Sequence, residues 1–383
     1  MGFFDDLETR SADAREAAQL AALDAIGVKL GSVAELSGLP VLRKAELSAK
    51  QKAQPPFGGM HVGEVTHVFQ SPGPIYEPGG VGHDWWRFGR FLNACSIGAS
   101  DIVHNCFGYH LTPAGMMFEN GARAVGARVL PAGTGQTELQ VRAAKDLGTT
   151  AYAGTPDYLN VILEKADEMG EVLGFTKAAV GGGALFPSLR QAYADRGISC
   201  LQCYATADLG NVAFESEAME GMIVDEGVIV EIVTPGTGEP VAVGQVGEVV
   251  VTSLNPDYPL IRFATGDMSA VMAGVSPCGR TNMRIKGWMG RADQTTKIKG
   301  MFVRPEQVAD LVAKHPEIAR ARVIAGREGE MDTMRVLIEA NSEAVDYSAS
   351  VASVLKLKGA VEVVSVGSLP NDGLVIEDQR SYD

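Results

Sequence analysis

PLIRFATGDMS (Pro259–Ser269) leads through PCGRTNMRI (Pro277–Ile285) to GRADQTTKIKG (Gly290–Gly300), and this stretch organises the chain. Its first piece is an apolar run that closes on Thr-Gly-Asp. That pattern predicts a buried strand whose end presents the carboxylate of Asp267, after a glycine that lets the backbone turn. A carboxylate accepts two hydrogen bonds, which is what a ribose diol offers. The last piece sets Arg291 among turn-prone residues, which predicts a polar connector between two folded units.

The three pieces together resemble motifs of adenylate-forming enzymes, most closely the phenylacetate–coenzyme A ligase family. That family's pattern is close to PLIRYRTGD, then CGRTxxRI, then GRxDDxxxxxG, and this chain follows it in order and spacing. The resemblance implies a ligase that uses ATP and Mg²⁺ to activate an aryl or other small carboxylic acid as an acyl-adenylate. It also implies transfer of the acyl group to coenzyme A, and a ribose clamp formed by Asp267 and Arg291.

Length and composition describe an ordinary globular chain with excess negative charge. The 383 residues are 46% hydrophobic and 21% charged, with a net charge of −14 and a pI near 5.0. This length exceeds the size at which one core usually divides, so we expect more than one domain. No Lys/Arg cluster would neutralise a phosphate backbone, which argues against nucleic acid as the main partner but leaves room for a single nucleotide.

The N-terminus and the cysteines indicate the compartment. The opening segment MGFFDDLETRSADAREAA lacks an apolar signal core, and the chain has no long uninterrupted apolar run, so we expect no membrane span. The five cysteines form an odd set without the spacing of a disulfide framework. A reduced, cytoplasmic location follows as the expectation. The resemblance is also compatible with a homodimer.

Alternating helical and strand patterns predict an α/β fold. Predicted strands at Asp101–Asn105, Arg128–Pro131 and Thr149–Ala153 are separated by helical patterns, which is typical of parallel sheets with crossover helices. Gly221–Val251 changes to period-two alternation with glycine turns, which predicts antiparallel strands in a small β-barrel-like subdomain. The residues after Gly300 read as a small α+β unit.

The expected domains are an N-terminal AMP-binding body, residues 1–292, and a C-terminal α+β domain, residues 293–383. The resemblance implies that the smaller domain is a mobile lid, which turns about a hinge near Asp293 between an adenylating and a thioester-forming orientation.

The phosphate loop is the least typical part of the sequence. The family has a loop near SSGTTGxP that holds the ATP phosphates through backbone N–H groups and hydroxyls. Here Gln70–Pro78 keeps only Ser71 and Gly73 of that character, and its prolines remove N–H donors. Glu77 adds a negative charge that would repel a triphosphate. A plain strand-to-helix turn is the alternative interpretation.

Two further segments carry nucleotide motifs. A strand running into glycines, FTKAAVGGG (Phe175–Gly183), would let a flat ligand approach the backbone. LQCYATAD (Leu201–Asp208) resembles the family's YGxTE motif, which implies adenine stacking by Tyr204, a phosphate contact by Thr206 and magnesium binding by Asp208. The nucleotide site implied by these segments also includes the following residues: Gly182, Gly183, Ala184, Cys203 and Ala205.

The segment DIVHNCFGYH resembles the family's strand and aromatic loop near the acyl site. It implies a substrate pocket with His104, Phe107 and Tyr109, to which Gly181 is added from the glycine run. A satisfied strand histidine is the alternative for His104. Cys200 and Cys203 form a single C-x-x-C pair, for which core thiols are favoured over zinc.

A cation for developing phosphoryl charge is missing from its usual place. The family supplies a lysine from a tail near LPRSEGKAKRV, but this chain ends LPNDGLVIEDQR, with Leu374 following Gly373 where that lysine belongs. Lys297, near the hinge, is the catalytic substitute that the sequence offers, against the alternative of solvated surface charge. A second function therefore stays open: a member that does not adenylate, binds AMP, a pre-made acyl-adenylate or acyl-CoA, and acts as an acyl transferase or a non-catalytic binding protein.

Overall fold

The computed structural model describes residues 8–71, 74–183, 185–289, 292, 294, 296–329, 331–340, 345–370 and 374–380, with the side chains of residues 45, 305 and 306 left out. The chain divides into two compact units, Met1–Met289 and Gly290–Asp383.

In the first unit, helices and strands alternate through the middle of the sequence. The helices are α1 (Ala12–Ala25), α2 (Lys44–Ala53), α3 (Gly89–Ala94), α4 (Ala114–Ala124), α5 (Thr137–Leu147), α6 (Pro156–Glu168) and α7 (Pro187–Asp195), with a 3₁₀ turn at Val33–Gly38. The strands are β1 (Leu42–Arg43), β2 (His67–Ser71), β3 (Ile75–Gly79), β4 (Ile102–Asn105), β5 (Arg128–Pro131), β6 (Ala151–Gly154), β7 (Lys177–Val180), β8 (Ser199–Thr206), β9 (Gly210–Phe214), β10 (Met222–Val224), β11 (Val228–Val233), β12 (Val246–Ser253), β13 (Phe263–Met272) and β14 (Arg284–Ile285).

One half of the main sheet is parallel, in the order β5-β4-β6-β7-β8. Its strands are short and apolar, and helices cover both faces, as parallel sheets require. The core against α3 and α4 includes Phe91, Phe118 and Leu201, whereas the core against α5, α6 and α7 includes Tyr152 and Leu159. The predicted α/β class is confirmed.

The other half of the sheet is antiparallel and continues from β8 in the order β9-β10-β14-β13-β12-β11. These strands share a second core with α2, through residues such as Leu47 and Tyr258. β1 adds to this half by pairing in parallel with β13, so that Arg43 lies opposite Ala264. Helix α2 starts directly after that pairing.

Strand β13 corrects the prediction that a strand ends at Asp267. The strand runs on to Met272, and its pairing with β12 shifts between Glu248 and Val250. Gly266, with φ of +74°, lies in this irregularity. A bulge of this kind re-aims a side chain without ending the strand, so Asp267 is presented from within the sheet.

The segment expected to be a phosphate loop is a β-hairpin instead. β2 and β3 pair antiparallel, with Phe69 opposite Glu77 and Ser71 opposite Ile75. Helix α2 holds the hairpin, because the side-chain amide of Gln51 bonds both backbone polar groups of Tyr76, at 2.7 and 2.8 Å. The alternative, a strand-to-helix turn, was therefore wrong, and the role of Gln70–Pro78 as a phosphate loop stays a prediction.

The second unit is an α+β structure with its own core. Its elements are β15 (Thr296–Ile298), β16 (Met301–Val303), α8 (Pro305–Lys314), β17 (Ile318–Glu328), β18 (Met331–Ala340), α9 (Ser348–Leu355), β19 (Ala360–Val364) and β20 (Ile376–Asp378). Four strands form a sheet in the order β19-β18-β17-β20, and β15 pairs with β16. Leu311 of α8, Val336 of β18 and Val351 of α9 belong to one buried cluster. Across the described parts of both units, no helix is long and apolar enough to cross a membrane.

Candidate nucleotide site

The expected site residues of the first unit follow the carboxyl ends of parallel strands. Phe107 and Tyr109 come after β4, the glycine run follows β7, and Tyr204 to Asp208 span the end of β8. Strands β4, β6, β7 and β8 are neighbours in the sheet, so these segments share one edge. Ligands of open α/β sheets bind at this edge.

Asp267 and Tyr204 are in direct contact. The phenol of Tyr204 donates to Asp267 Oδ2 at 2.8 Å, and the indole of Trp288 donates to Asp267 Oδ1 at 3.0 Å. Both Asp267 and Tyr204 are buried. Each carboxylate oxygen has two acceptor sites. Two side chains, those of Tyr204 and Trp288, thus hold the carboxylate of Asp267 in place.

Asp208, the expected metal ligand, forms an ion pair. Its Oδ2 accepts a hydrogen bond from Nζ of Lys44 at 2.8 Å, and its side chain is only 1% exposed, against 36% for Lys44. Asp208 Oδ1 is buried without a hydrogen-bond partner among the described residues. The buried carboxylate of Asp208 therefore has one oxygen paired with Lys44 and one oxygen without a hydrogen-bond partner among the described residues.

Glu77 lies beside this ion pair. Its carboxyl group accepts a hydrogen bond from the hydroxyl of Ser71, and its Oε2 is buried without a partner within the described chain. Burial, followed by the charge of Asp208, raises the pKa of Glu77 to about 8. The same two carboxylates, after burial, raise the pKa of Tyr258, whose buried hydroxyl also has no described partner. Glu77 is consequently mostly protonated at neutral pH.

The unpartnered oxygen of Asp208 suits a hard cation. Asp208 Oδ1 is a carboxylate oxygen, the ligand type that Mg²⁺ takes. Mg²⁺ usually uses one or two protein carboxylates and fills its other positions with water and substrate phosphate. Among the residues that the structure describes, no three His, Cys, Asp or Glu side chains converge on a metal site. The donor set therefore suits a Mg²⁺ that arrives with a nucleotide, and Asp208 would hold it.

The glycine run packs closely on β8. A Cβ on Gly181 would lie 2.9 Å from Sγ of Cys203, so only glycine fits there without a shift. Gly182 and Gly183 are exposed, and Gly182 has a φ of +71°. A Cβ on Gly182 would contact Phe107 at 3.8 Å. The structure thus brings Phe107, Cys203 and the glycines together, with exposed backbone available to a flat ligand.

His104 lies apart from this group. Its side chain is fully buried, with Nε2 2.9 Å from the Gln140 oxygen and the ring edge-on to Phe175. It therefore faces α5 and α6, whereas Phe107 stacks on Phe118 of α4 on the opposite face. Burial, opposed by the hydrogen bond that Nε2 donates to the Gln140 oxygen, lowers the pKa of His104. His104 is therefore a buried core histidine, close to the alternative that the sequence left open, but its Nδ1 has no hydrogen-bond partner among the described residues.

The remaining expected residues have simpler environments. Tyr109 accepts a hydrogen bond from Asn105 at 2.7 Å, and the hydroxyl of Thr206 accepts the backbone N–H of Leu209 at 3.1 Å. Ala205 is half-buried on β8. Lys297 is exposed on β15 of the second unit, with its ammonium 5.9 Å from the ring centre of Phe302. Three expected site residues lie outside the described residues: Gly73, Ala184 and Arg291.

The zinc interpretation receives no support. Cys200 and Cys203 are both buried on β8, and burial raises the pKa of each thiol. Their strand positions are oriented toward different cores, since Cys200 packs with the α5 side and Cys203 with the α4 side. The two sulfurs are core thiols.

Sequence reasoning missed Lys44, Trp288 and Tyr258. Lys44 is 164 residues from Asp208, and Trp288 is 21 residues from Asp267, so no local pattern joins these pairs. The sequence feature that could have indicated one of these residues is the position of Trp288, a large aromatic residue close to the Gly290-Arg291 pair of the polar connector.

Comparison with known proteins places this geometry in a family. No protein-family model matches the chain. The chain is 31% identical over 345 residues to phenylacetate–coenzyme A ligase of Aromatoleum evansii, a match that covers 84% of this chain and 77% of that protein. The chain belongs to the phenylacetate–coenzyme A ligase family. Another member, from Thermus thermophilus, is 29% identical over 324 residues, with 80% and 72% covered. The Escherichia coli member is 28% identical over 381 residues, with 91% and 86% covered.

Solved structures agree on the fold of this family member. A 2-hydroxyisobutyryl-CoA ligase, in complex with 2-HIB-AMP and CoA, aligns with a TM-score of 0.79 at 23% identity, covering 98% of this chain and 92% of that one. Amide bond synthetase McbA from Marinactinospora thermotolerans aligns with a TM-score of 0.59 at 17% identity, covering 84% and 71%. At these identities the likeness concerns the fold.

Proposed function

We propose that this chain is an AMP-forming acid–thiol ligase that activates an aryl or other small carboxylic acid and transfers it to coenzyme A. The observation that carries the proposal is Asp267, a carboxylate presented by a bulge and held by Tyr204 and Trp288. The two hydroxyls of a ribose diol are donors that suit a carboxylate. Asp267 and Arg291 are proposed as the ribose clamp, although the structure does not describe Arg291.

The rest of the site supports the same assignment. Phe107 and the exposed glycines after β7 are proposed to contact the acyl group and the adenine ring. Asp208 is proposed to hold Mg²⁺, which would screen phosphate charge when bound. In this arrangement the chain orients the carboxylic acid toward the α-phosphate and keeps that phosphate near Asp208, so that positioning and charge stabilisation supply most of the rate.

Domain roles are part of the proposal. The smaller unit is proposed to act as a lid on the larger one, with a hinge near Asp293. Lys297 is proposed as a lid cation.

A second candidate is a protein that does not adenylate but uses a pre-made acyl-adenylate. It is favoured by the hairpin that replaces the phosphate loop and by the buried acid Glu77 beside Asp208. It is also favoured by Leu374, which follows Gly373 where the family's tail lysine is expected.

One assay separates the two. The purified chain is incubated with Mg²⁺, ATP, coenzyme A and a panel of aryl and short-chain acids, and AMP, pyrophosphate and thioester are measured. The first function requires all three products with at least one acid. A parallel reaction supplies a synthetic acyl-adenylate and coenzyme A without ATP. Thioester in the second reaction, with no AMP from any acid in the first, would favour the second function, and no product in either would reject both.

A further inference from the structure

The proposed site needs a cation near the phosphate, and the tail that usually supplies it has Leu374 after Gly373 in place of a lysine. Phosphate binding and the charge that develops in acyl transfer both favour a fixed cation. Another residue of the first unit has the required charge and place.

We propose that Lys44 is this cation, and that its ammonium contacts the phosphate of the bound nucleotide. The proposal rests on the function proposed above and adds a residue to its site. Asp208 is the one hydrogen-bond partner of the Lys44 ammonium among the described residues, at 2.8 Å. An ammonium has three N–H donors. Lys44 is thus anchored on a buried carboxylate and, at 36% exposure, keeps donors free for a ligand.

Lys44 also occupies the correct part of the fold. It follows β1, where Arg43 lies opposite Ala264 on the strand that carries Asp267. Its partner Asp208 follows β8, the strand that carries Tyr204. Tyr204 donates a hydrogen bond to Asp267, the residue proposed to bind the ribose. Lys44 is therefore linked to this residue through both β8 and β13.

The local charge favours an anion more than the composition suggests. Lys44 is the first residue of α2, and Arg43 makes no side-chain bond at this helix start. The free N–H groups of a helix N-terminus attract phosphate.

The competing explanation is that the ion pair only fixes α2 against the sheet. Calorimetry with AMP and adenosine separates the two roles, because adenosine lacks the phosphate. For Lys44→Met, we expect AMP binding to weaken about ten- to hundredfold, as for loss of one charge-assisted hydrogen bond. Adenosine binding should stay unchanged. Lys52→Met removes an exposed ammonium from the same helix and is the matched control, with no expected effect on either ligand.

Each outcome has a distinct meaning. Failure of the wild type to bind AMP would reject the proposed function itself. Wild-type binding of AMP with equal binding by Lys44→Met would overturn the role of Lys44 and leave the function standing. Equal loss of AMP and adenosine in Lys44→Met would also overturn it, since the residue would then act through structure.

A measurement on the unmodified protein covers the case in which Lys44→Met does not fold. Limited acetylation followed by mass spectrometry reports the accessibility of individual lysines. We expect AMP to protect Lys44, adenosine not to protect it, and Lys52 to react equally in every sample. Equal acetylation of Lys44 with and without saturating AMP would overturn the proposal.

Discussion

Glu77→Gln should change how the stability of the first unit depends on pH. The pKa of Glu77 is 4.5 when unfolded and about 8 in the folded chain, first because of burial and second because of Asp208. Between these values the folded state keeps a proton that the unfolded state has lost. Stability from this proton is complete below pH 4.5 and is lost as the pH rises through 8. Glutamine keeps the size of the side chain and does not titrate.

The size of the effect follows from linkage. The folded and unfolded states differ in the number of protons they bind. Integrating this difference from pH 6 to pH 8 predicts that the unfolding free energy of the wild type falls by about 2 kcal/mol relative to that of Glu77→Gln. Urea unfolding at several pH values measures this difference, and fluorescence isolates the first unit because it holds every tryptophan of the chain: Trp85, Trp86 and Trp288.

The matched control is Glu46→Gln, which removes an exposed carboxylate from α2. Its stability curve should run parallel to that of the wild type. If the curve of Glu77→Gln also ran parallel to that of the wild type, burial beside Asp208 would not hold a proton on Glu77.

Three further expectations test the packing and the hydrogen bonds of the site. Gly181→Ala should destabilise the first unit by about 1–3 kcal/mol, because the new Cβ would lie 2.9 Å from Sγ of Cys203. Urea unfolding measures this loss of stability, which should be smaller in a Cys203→Ala background. Tyr204→Phe should cost about 1–3 kcal/mol of unfolding free energy by deleting a donor to buried Asp267, and a smaller cost in an Asp267→Asn background would confirm the coupling. Burial by itself would raise the pKa of the half-buried Cys278 thiol, but hydrogen bonds from neighbouring residues lower this pKa overall. Burial raises the pKa of the other four cysteine thiols. Iodoacetamide at neutral pH should therefore label Cys278 first in the native protein, and equal labelling of all five, read by mass spectrometry, would contradict this.

Local pattern was sufficient for much of the fold. Strand Arg128–Pro131 has the predicted bounds, because the periodicity of a strand is set by neighbouring residues. The order of motifs also indicated the family, which the comparison with relatives established. The importance of Asp267 and Tyr204 followed from that resemblance, and their roles remain proposals.

Tertiary structure decided how those residues meet. A bulge inside β13 presents Asp267, and the register that creates the bulge depends on β12. Pairing with β3 turned the expected phosphate loop into a hairpin, which the loop residues alone did not indicate. Pairing registers depend on partner strands that are remote in sequence, so a local pattern carries little information about them.

The chain by itself therefore determined which elements form, in what order, and which side chains are chemically suited to bind a nucleotide. Only the folded chain decided that Lys44 meets Asp208 and that Trp288 meets Asp267. The physical reason is that periodicity is set by neighbouring residues, whereas an ion pair across 164 residues exists only after distant elements have packed.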